Sequence, residues 1–68
     1  MKIVQRFIEQ QCIGYRHTAN KSESWFREVV LYTDGTTGTQ YRASISERNG
    51  FTYIGGAQEN PPIGLIPN

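Results

Sequence analysis

Sixty-eight residues build at most one small domain, and a domain of this size buries only about 60% of its unfolded surface, which leaves a thin stability margin. Seven basic residues against six acidic give a net charge of +1, without the cationic excess of many nucleic-acid modules. The single cysteine, Cys12, excludes an intrachain disulfide, and with His17 as the only imidazole a structural zinc site is not expected, so self-association is the expected staple.

The first residues do not read as an export signal, because Arg6 and Glu9 interrupt any apolar stretch. No apolar run approaches the roughly 20 residues of a membrane helix. A lone cysteine suits a reducing compartment, so the expected location is the cytoplasm and no membrane partner is expected.

Residues 2–13 place Ile3, Val4, Phe7, Ile8 and Cys12 at spacings of a 3.6-residue period, with Lys2, Arg6, Glu9 and Gln10 opposite. Gly14 stands where a helix C-cap would stand. The spacing predicts an amphipathic helix over 2–13; a strand is the competing assignment, because the same residues suit a sheet and no N-cap precedes them. Residues 16–24 are polar and aperiodic and read as a loop.

Residues 25–56 then alternate between apolar runs and glycine-marked reversals, the pattern of a β-meander with strands at 25–33, 39–47 and 51–55. In the first strand Trp25, Val29 and Leu31 share one face and Phe26, Glu28, Val30 and Tyr32 the other; in the second, Tyr41, Ala43 and Ile45 oppose Gln40, Arg42, Ser44 and Ser46. Burial selects a three-residue loop, Arg48-Asn49-Gly50, with Glu47 opposite Phe51 and Gly50 in a left-handed conformation. The same reasoning at the first reversal selects a five-residue loop, Asp34 to Gly38, which sets Leu31 opposite Tyr41 and Val29 opposite Ala43. The dry face would hold Trp25, Val29, Leu31, Tyr41, Ala43, Ile45, Phe51 and Tyr53, covered by the helix.

Residues 57–68 carry three prolines, and Pro61-Pro62 favours extended backbone. Ile63, Leu65 and Ile66 in this charge-poor tail call for a surface on the domain or on a partner. The expected fold is thus α+β: one domain over residues 1–56, a helix at 2–13 on a three-stranded antiparallel meander, with an extended tail at 57–68. The alternative is an all-β small barrel or sandwich in which 2–13 is a strand.

No catalytic constellation emerges. His17 lies in a polar stretch without an orienting partner, Cys12 falls on the apolar face, and the six carboxylates are dispersed. Gly35-Thr36-Thr37-Gly38 lacks the Gly-Lys-Ser/Thr ending of a phosphate loop and joins two strands. No enzyme activity, cofactor or metal is expected. The functional signal is the sheet face left open, where Phe26, Val30, Tyr32, Arg42 and Ile54 combine with Arg48 at the turn and with Ile63 and Leu65 of the tail, an aromatic–arginine mixture enriched at protein interfaces. The expected function is a small non-enzymatic binding or regulatory module, a homodimer docking on a protein partner, of the size of regulators and inhibitors carried by phages and mobile elements. The alternative is a nucleic-acid module that stacks bases on Phe26 and Tyr32 and meets phosphates with Arg42 and Arg48.

Overall fold

In the computed structural model, which describes residues 2–67, the chain forms a single antiparallel sheet of five strands: β1 (Val4–His17), β2 (Lys21–Tyr32), β3 (Thr37–Glu47), β4 (Thr52–Ile54) and β5 (Ile66–Pro67). The spatial order is β4-β3-β2-β1-β5, so β1 to β4 form a meander and β5 returns to the far side of β1. The described residues contain no helix, and so none long and apolar enough to cross a membrane.

The α+β expectation is therefore wrong: residues 2–13 are not a helix covering the sheet but belong to its longest strand. The strand of the alternative assignment is what forms, within one sheet. The reason lies in three register shifts against β2, between Val4 and Arg6, Phe7 and Glu9, and Cys12 and Gly14. They leave Gln5, Ile8 and Ile13 without cross-strand partners of their own. Each extra residue stretches the spacing of same-face side chains from two to three. Val4, Phe7 and Gln10 thus share a face at a spacing of three, opposite Tyr32, Val30 and Glu28. Two turns of a helix and a repeatedly bulged strand write the same apolar spacing. The sheet wins because β1 still pairs with β2 at eleven positions from Val4 to His17 despite the three shifts.

The expected loop at 16–24 shrinks to a tight turn at Ala19-Asn20. The Thr18 N–H donates to the Lys21 carbonyl at 2.9 Å, and the Lys21 N–H to Thr18 Oγ1 at 3.2 Å. The strands at 25–33 and 39–47 start earlier than expected, at Lys21 and Thr37.

The two glycine turns share one design. Thr33-Asp34-Gly35 is closed by Gly35 N–H to Tyr32 carbonyl at 3.0 Å and Tyr32 N–H to Thr36 carbonyl at 2.8 Å; Arg48-Asn49-Gly50 is closed by Gly50 to Glu47 at 2.9 Å and Glu47 to Phe51 at 2.8 Å. Gly35 and Gly50 take φ of 87° and 91°, the left-handed residue that ends such a three-residue loop. Asp34 Oδ1 and Asn49 Oδ1 each accept the N–H two residues on, at 3.0 Å. The loop at 48–50 is the one expected. The five-residue loop at 34–38 is not: Leu31 pairs with Thr37 and Val29 with Thr39. The two registers differ by four positions, an even number, so the sorting of β2 and β3 side chains onto faces survives the error.

Cross-strand partners share a face, which defines the two sides of the sheet. The front carries Val4, Phe7, Gln10 and Cys12 of β1, Phe26, Glu28, Val30 and Tyr32 of β2, Gln40, Arg42 and Ser44 of β3, and Ile54 of β4. The back carries Gly14, Trp25, Val29, Leu31, Tyr41, Ala43, Ile45 and Tyr53. Phe51, expected on the dry face, is 61% exposed and meets the Tyr53 ring at a tilt, 5.7 Å between centroids.

A strap from the C-terminal segment replaces the missing helix. Gln58 exchanges backbone hydrogen bonds of 2.9 and 2.8 Å with Tyr41 on the outer edge of β3. Ile66 and Pro67 pair with Tyr15 and Gly14 on the outer edge of β1. The residues between must cross the sheet, and the cross-strand row Gly14, Trp25, Ala43 beneath that crossing is buried. Gly14 is obligatory there: a Cβ would collide with the Ile66 carbonyl oxygen. Trp25, Val30 and Ala43 are the buried apolar side chains, a core small even for this chain length.

Candidate docking face

The bulges of β1 bring Phe7 and Gln10 beside Glu28 of β2 and Arg42 of β3. With Ile54 they line an open groove of about 340 Å³ on the front face. Its floor is polar. Glu28, only 3% exposed, accepts a hydrogen bond from Gln10 Nε2 on Oε2 and another from Gln40 Nε2 on Oε1, both at 3.0 Å. Arg42 Nε lies 3.5 Å from Glu28 Oε1, buried and without a hydrogen bond of its own. The guanidinium sits 5.6 Å from the centre of the Phe7 ring. The rim is apolar and open: Phe7 is 51% exposed and Ile54 62%.

The structure brings five of the eight residues expected at the binding face, Phe26, Val30, Tyr32, Arg42 and Ile54, onto the front. Two of these five are structural. Val30 is fully buried beneath Phe7 and Gly38. Tyr32 lies across Gly38, where a Cβ would stand 2.8 Å from its ring, and carries the Lys2 ammonium 4.5 Å above the ring centre. Arg48 is in the β3–β4 turn, about 20 Å along β3 from Arg42, with its N–H bound to the Asn20 carbonyl at 2.8 Å. Leu65 is half-buried in the strap and Ile63 is 95% exposed. Phe7 and Gln10 are groove residues that a helix over 2–13 hides, and Glu28 lies on the expected face without having been expected to bind. The signal that finds the first two is the spacing of three in Val4, Phe7 and Gln10, read as bulges.

A second polar cluster lies on the back. Glu23 Oε1 accepts Trp25 Nε1 and Arg16 Nε, each at 2.8 Å. Burial pushes the Glu23 carboxyl up, but the hydrogen bonds from Trp25 and Arg16, with the charges of Arg16 and Lys21, outweigh it and hold the pKa below the ordinary glutamate value. Both the Trp25 indole N–H and the Arg16 Nε–H are thus matched on one carboxylate oxygen.

The two residues weighed for nucleophilic chemistry are far apart. Cys12 is level with Phe26 and His17 with Ser22, four ladder positions or about 13 Å along β2. His17 Nδ1 is 3.2 Å from Ser22 Oγ instead. Tyr15, next on the front face, has its hydroxyl pKa raised by a hydrogen bond with Cys12, by the charge Cys12 would carry and by burial. Among the described residues no cluster of three or more His, Cys, Asp or Glu could hold a metal ion.

No protein family matches the chain, no curated protein is detectably similar to it, and no solved structure matches its fold; the comparison with phage and mobile-element regulators is withdrawn, because only a small antiparallel sheet domain is supported.

Proposed function

We propose that this chain is a small non-enzymatic binding module that acts by protein–protein docking through the front face of its sheet, in the reducing cytoplasm that suits its lone Cys12. One observation carries the reading. The strap covers the back of the sheet, while the front keeps an apolar rim of Phe7 and Ile54 around a groove floored by Glu28 and Arg42. Interfaces concentrate such aromatic, aliphatic and arginine groups around a few desolvated polar contacts. Nucleic acid fits this face less well. Arg42 already faces Glu28, the Lys2 ammonium is taken up over the Tyr32 ring, and Arg48 stands about 20 Å away.

The test compares wild type with the Phe7→Glu/Ile54→Lys double variant for every protein association, with self by sedimentation and with other proteins by affinity capture. Loss of those associations with unchanged circular dichroism is expected. Associations that persist in the double variant would remove the front face from the function. Oligonucleotide binding tighter than about 100 µM at low salt, with a phosphate-dependent salt slope, would move the reading to nucleic acid.

A further inference from the structure

We propose that the occupant of the front face is a second copy of this chain, packed face to face so that two sheets form one sandwich; this rests on the docking reading of that face. Four observations converge on it. The first is area. The chain exposes 4874 Å², whereas a folded monomer of 7.7 kDa exposes about 4300 Å². The excess of about 570 Å² approaches the roughly 800 Å² that each partner commits to a standard interface.

The second is the size of the core. With Trp25, Val30 and Ala43 as the buried apolar side chains among the described residues, with a single cysteine in the sequence and so no intrachain disulfide, and with no metal cluster among the described residues, the staple left to this chain is oligomerisation. A sheet packed on a sheet about 10 Å away would enclose Phe7, Phe26 and Ile54 and supply the missing half of the core.

The third is charge. A two-fold interface sets a patch against itself, so it tolerates only a patch that does not repel its own image. The front-face side chains of β1 to β4 include one carboxylate, Glu28, and one guanidinium, Arg42, 3.5 Å apart and mutually neutralising; the Lys2 ammonium, over the Tyr32 ring at the end of the face, is a further charge there, away from the Phe7–Ile54 groove. The buried Arg42 Nε lacks a hydrogen bond, and its guanidinium faces the groove that the second sheet would close.

The fourth is what the edges forbid. A copy could otherwise join by adding a strand to the sheet. The outer edge of β1 is broken by bulges at Gln5, Ile8 and Ile13 and is taken by β5 at Gly14 and Tyr15, and bulges of this kind block edge pairing. On the other side the edge strand β4 offers three residues, and a strand that short gives little to pair with, so the face is the larger surface left for self-association.

The experiment is sedimentation equilibrium of the full chain from about 1 to 500 µM, on wild type, Ile54→Lys, Phe7→Glu and the strap variant Ile63→Ser. A wild-type species of twice the 7.7 kDa chain mass is expected. Ile54→Lys and Phe7→Glu should each weaken the dimer by about thirtyfold or more, as a central interface residue does, and Ile63→Ser should not. Native Trp25 fluorescence checks that each variant is folded, and isotope-filtered NMR contacts between labelled and unlabelled chains at Phe7 and Ile54 read the interface in wild type itself. A monomer throughout the range, or a dimer that both front-face substitutions leave intact, overturns the inference. A monomer that nonetheless captures another protein through Phe7 and Ile54 overturns it too, while the docking reading stands.

Discussion

The sheet buries two glutamates, one on each side, and treats them differently. Glu23 on the back is 7% exposed and receives two short bonds, from an indole and a guanidinium, beneath the strap. Glu28 on the front is 3% exposed and receives two neutral amides at 3.0 Å, with Arg42 beyond hydrogen-bond reach at 3.5 Å and its Nε unmatched. A buried polar network is stable when every member is satisfied, and a partly satisfied one marks a place where something is still to be added. The back of the sheet is closed within the chain. The front is built to the same depth and left open.

The largest effects should fall on the back. Trp25 fills the row beneath the strap, and its indole N–H is the donor that holds Glu23. Trp25→Ala should cost about 3–5 kcal/mol, a large share of the stability of a chain this small, and chemical denaturation should show a chain close to unfolded in water. Gly14→Ala should come next, at about 1–3 kcal/mol, because the new methyl would displace the Ile66 carbonyl and free β5 from β1. Faster amide exchange at Ile66, with slow exchange kept at Val30, is the expected pattern; uniform loss of protection would mean that the strap and the sheet unfold as one unit.

The meander and its face assignments were legible in the sequence, and the covering layer was not. Gly35 and Gly50 each follow an Asx residue and each end a three-residue loop, so the rule that fixed Arg48-Asn49-Gly50 applied equally to Thr33-Asp34-Gly35. A preference for burying Val29 against Ala43 overrode it. The faces of β2 and β3 survived because a four-residue error in register preserves parity. The first strand failed for a different reason: period-three spacing arises from a helix or from bulges, and only the partner strand decides between them. Val4, Phe7, Gln10 and Gly14 were all in view, but Gly14 looked like a cap when it was a point of close approach for the Ile66 carbonyl. The groove was half legible: alternation places Arg42, Ile54 and the face of Glu28, while Phe7 and Gln10 require the bulges of β1.

The glutamates themselves give the sharpest comparison. Glu23→Gln keeps the one oxygen that accepts both bonds, weakened by loss of its charge, and should cost about 1–2 kcal/mol; Glu28→Gln sets an amide N–H2 against one of its two amide donors and leaves Arg42 without a carboxylate, and should cost about 2–3 kcal/mol. Acid should separate them as well. Because the folded-state pKa of Glu23 lies below the ordinary glutamate value of 4.5, its stabilisation is present above that value and is lost as pH falls through the folded pKa. Wild type should therefore lose stability below about pH 4.5, and Glu23→Gln should flatten that acid limb. An unaltered limb in Glu23→Gln would assign acid sensitivity to other carboxylates and remove the distinction between the two sides.

The smallest folding effect belongs to the front rim. Ile54 ends the three-residue strand β4, stands 62% exposed and pairs only with Ser44. A lysine there sits on a short edge strand, where charge is tolerated, so Ile54→Lys measured below the dimer's dissociation constant should change stability by no more than about 0.5 kcal/mol. Measured at hundreds of micromolar, the same variant should be clearly less stable than wild type if copies pair through the front face, because wild type alone would then gain from mass action. That concentration dependence separates a rim residue that serves an interface from one that serves the fold: a destabilisation equal at both concentrations would make Ile54 part of the domain's own core, and the front face would then be no more open than the back.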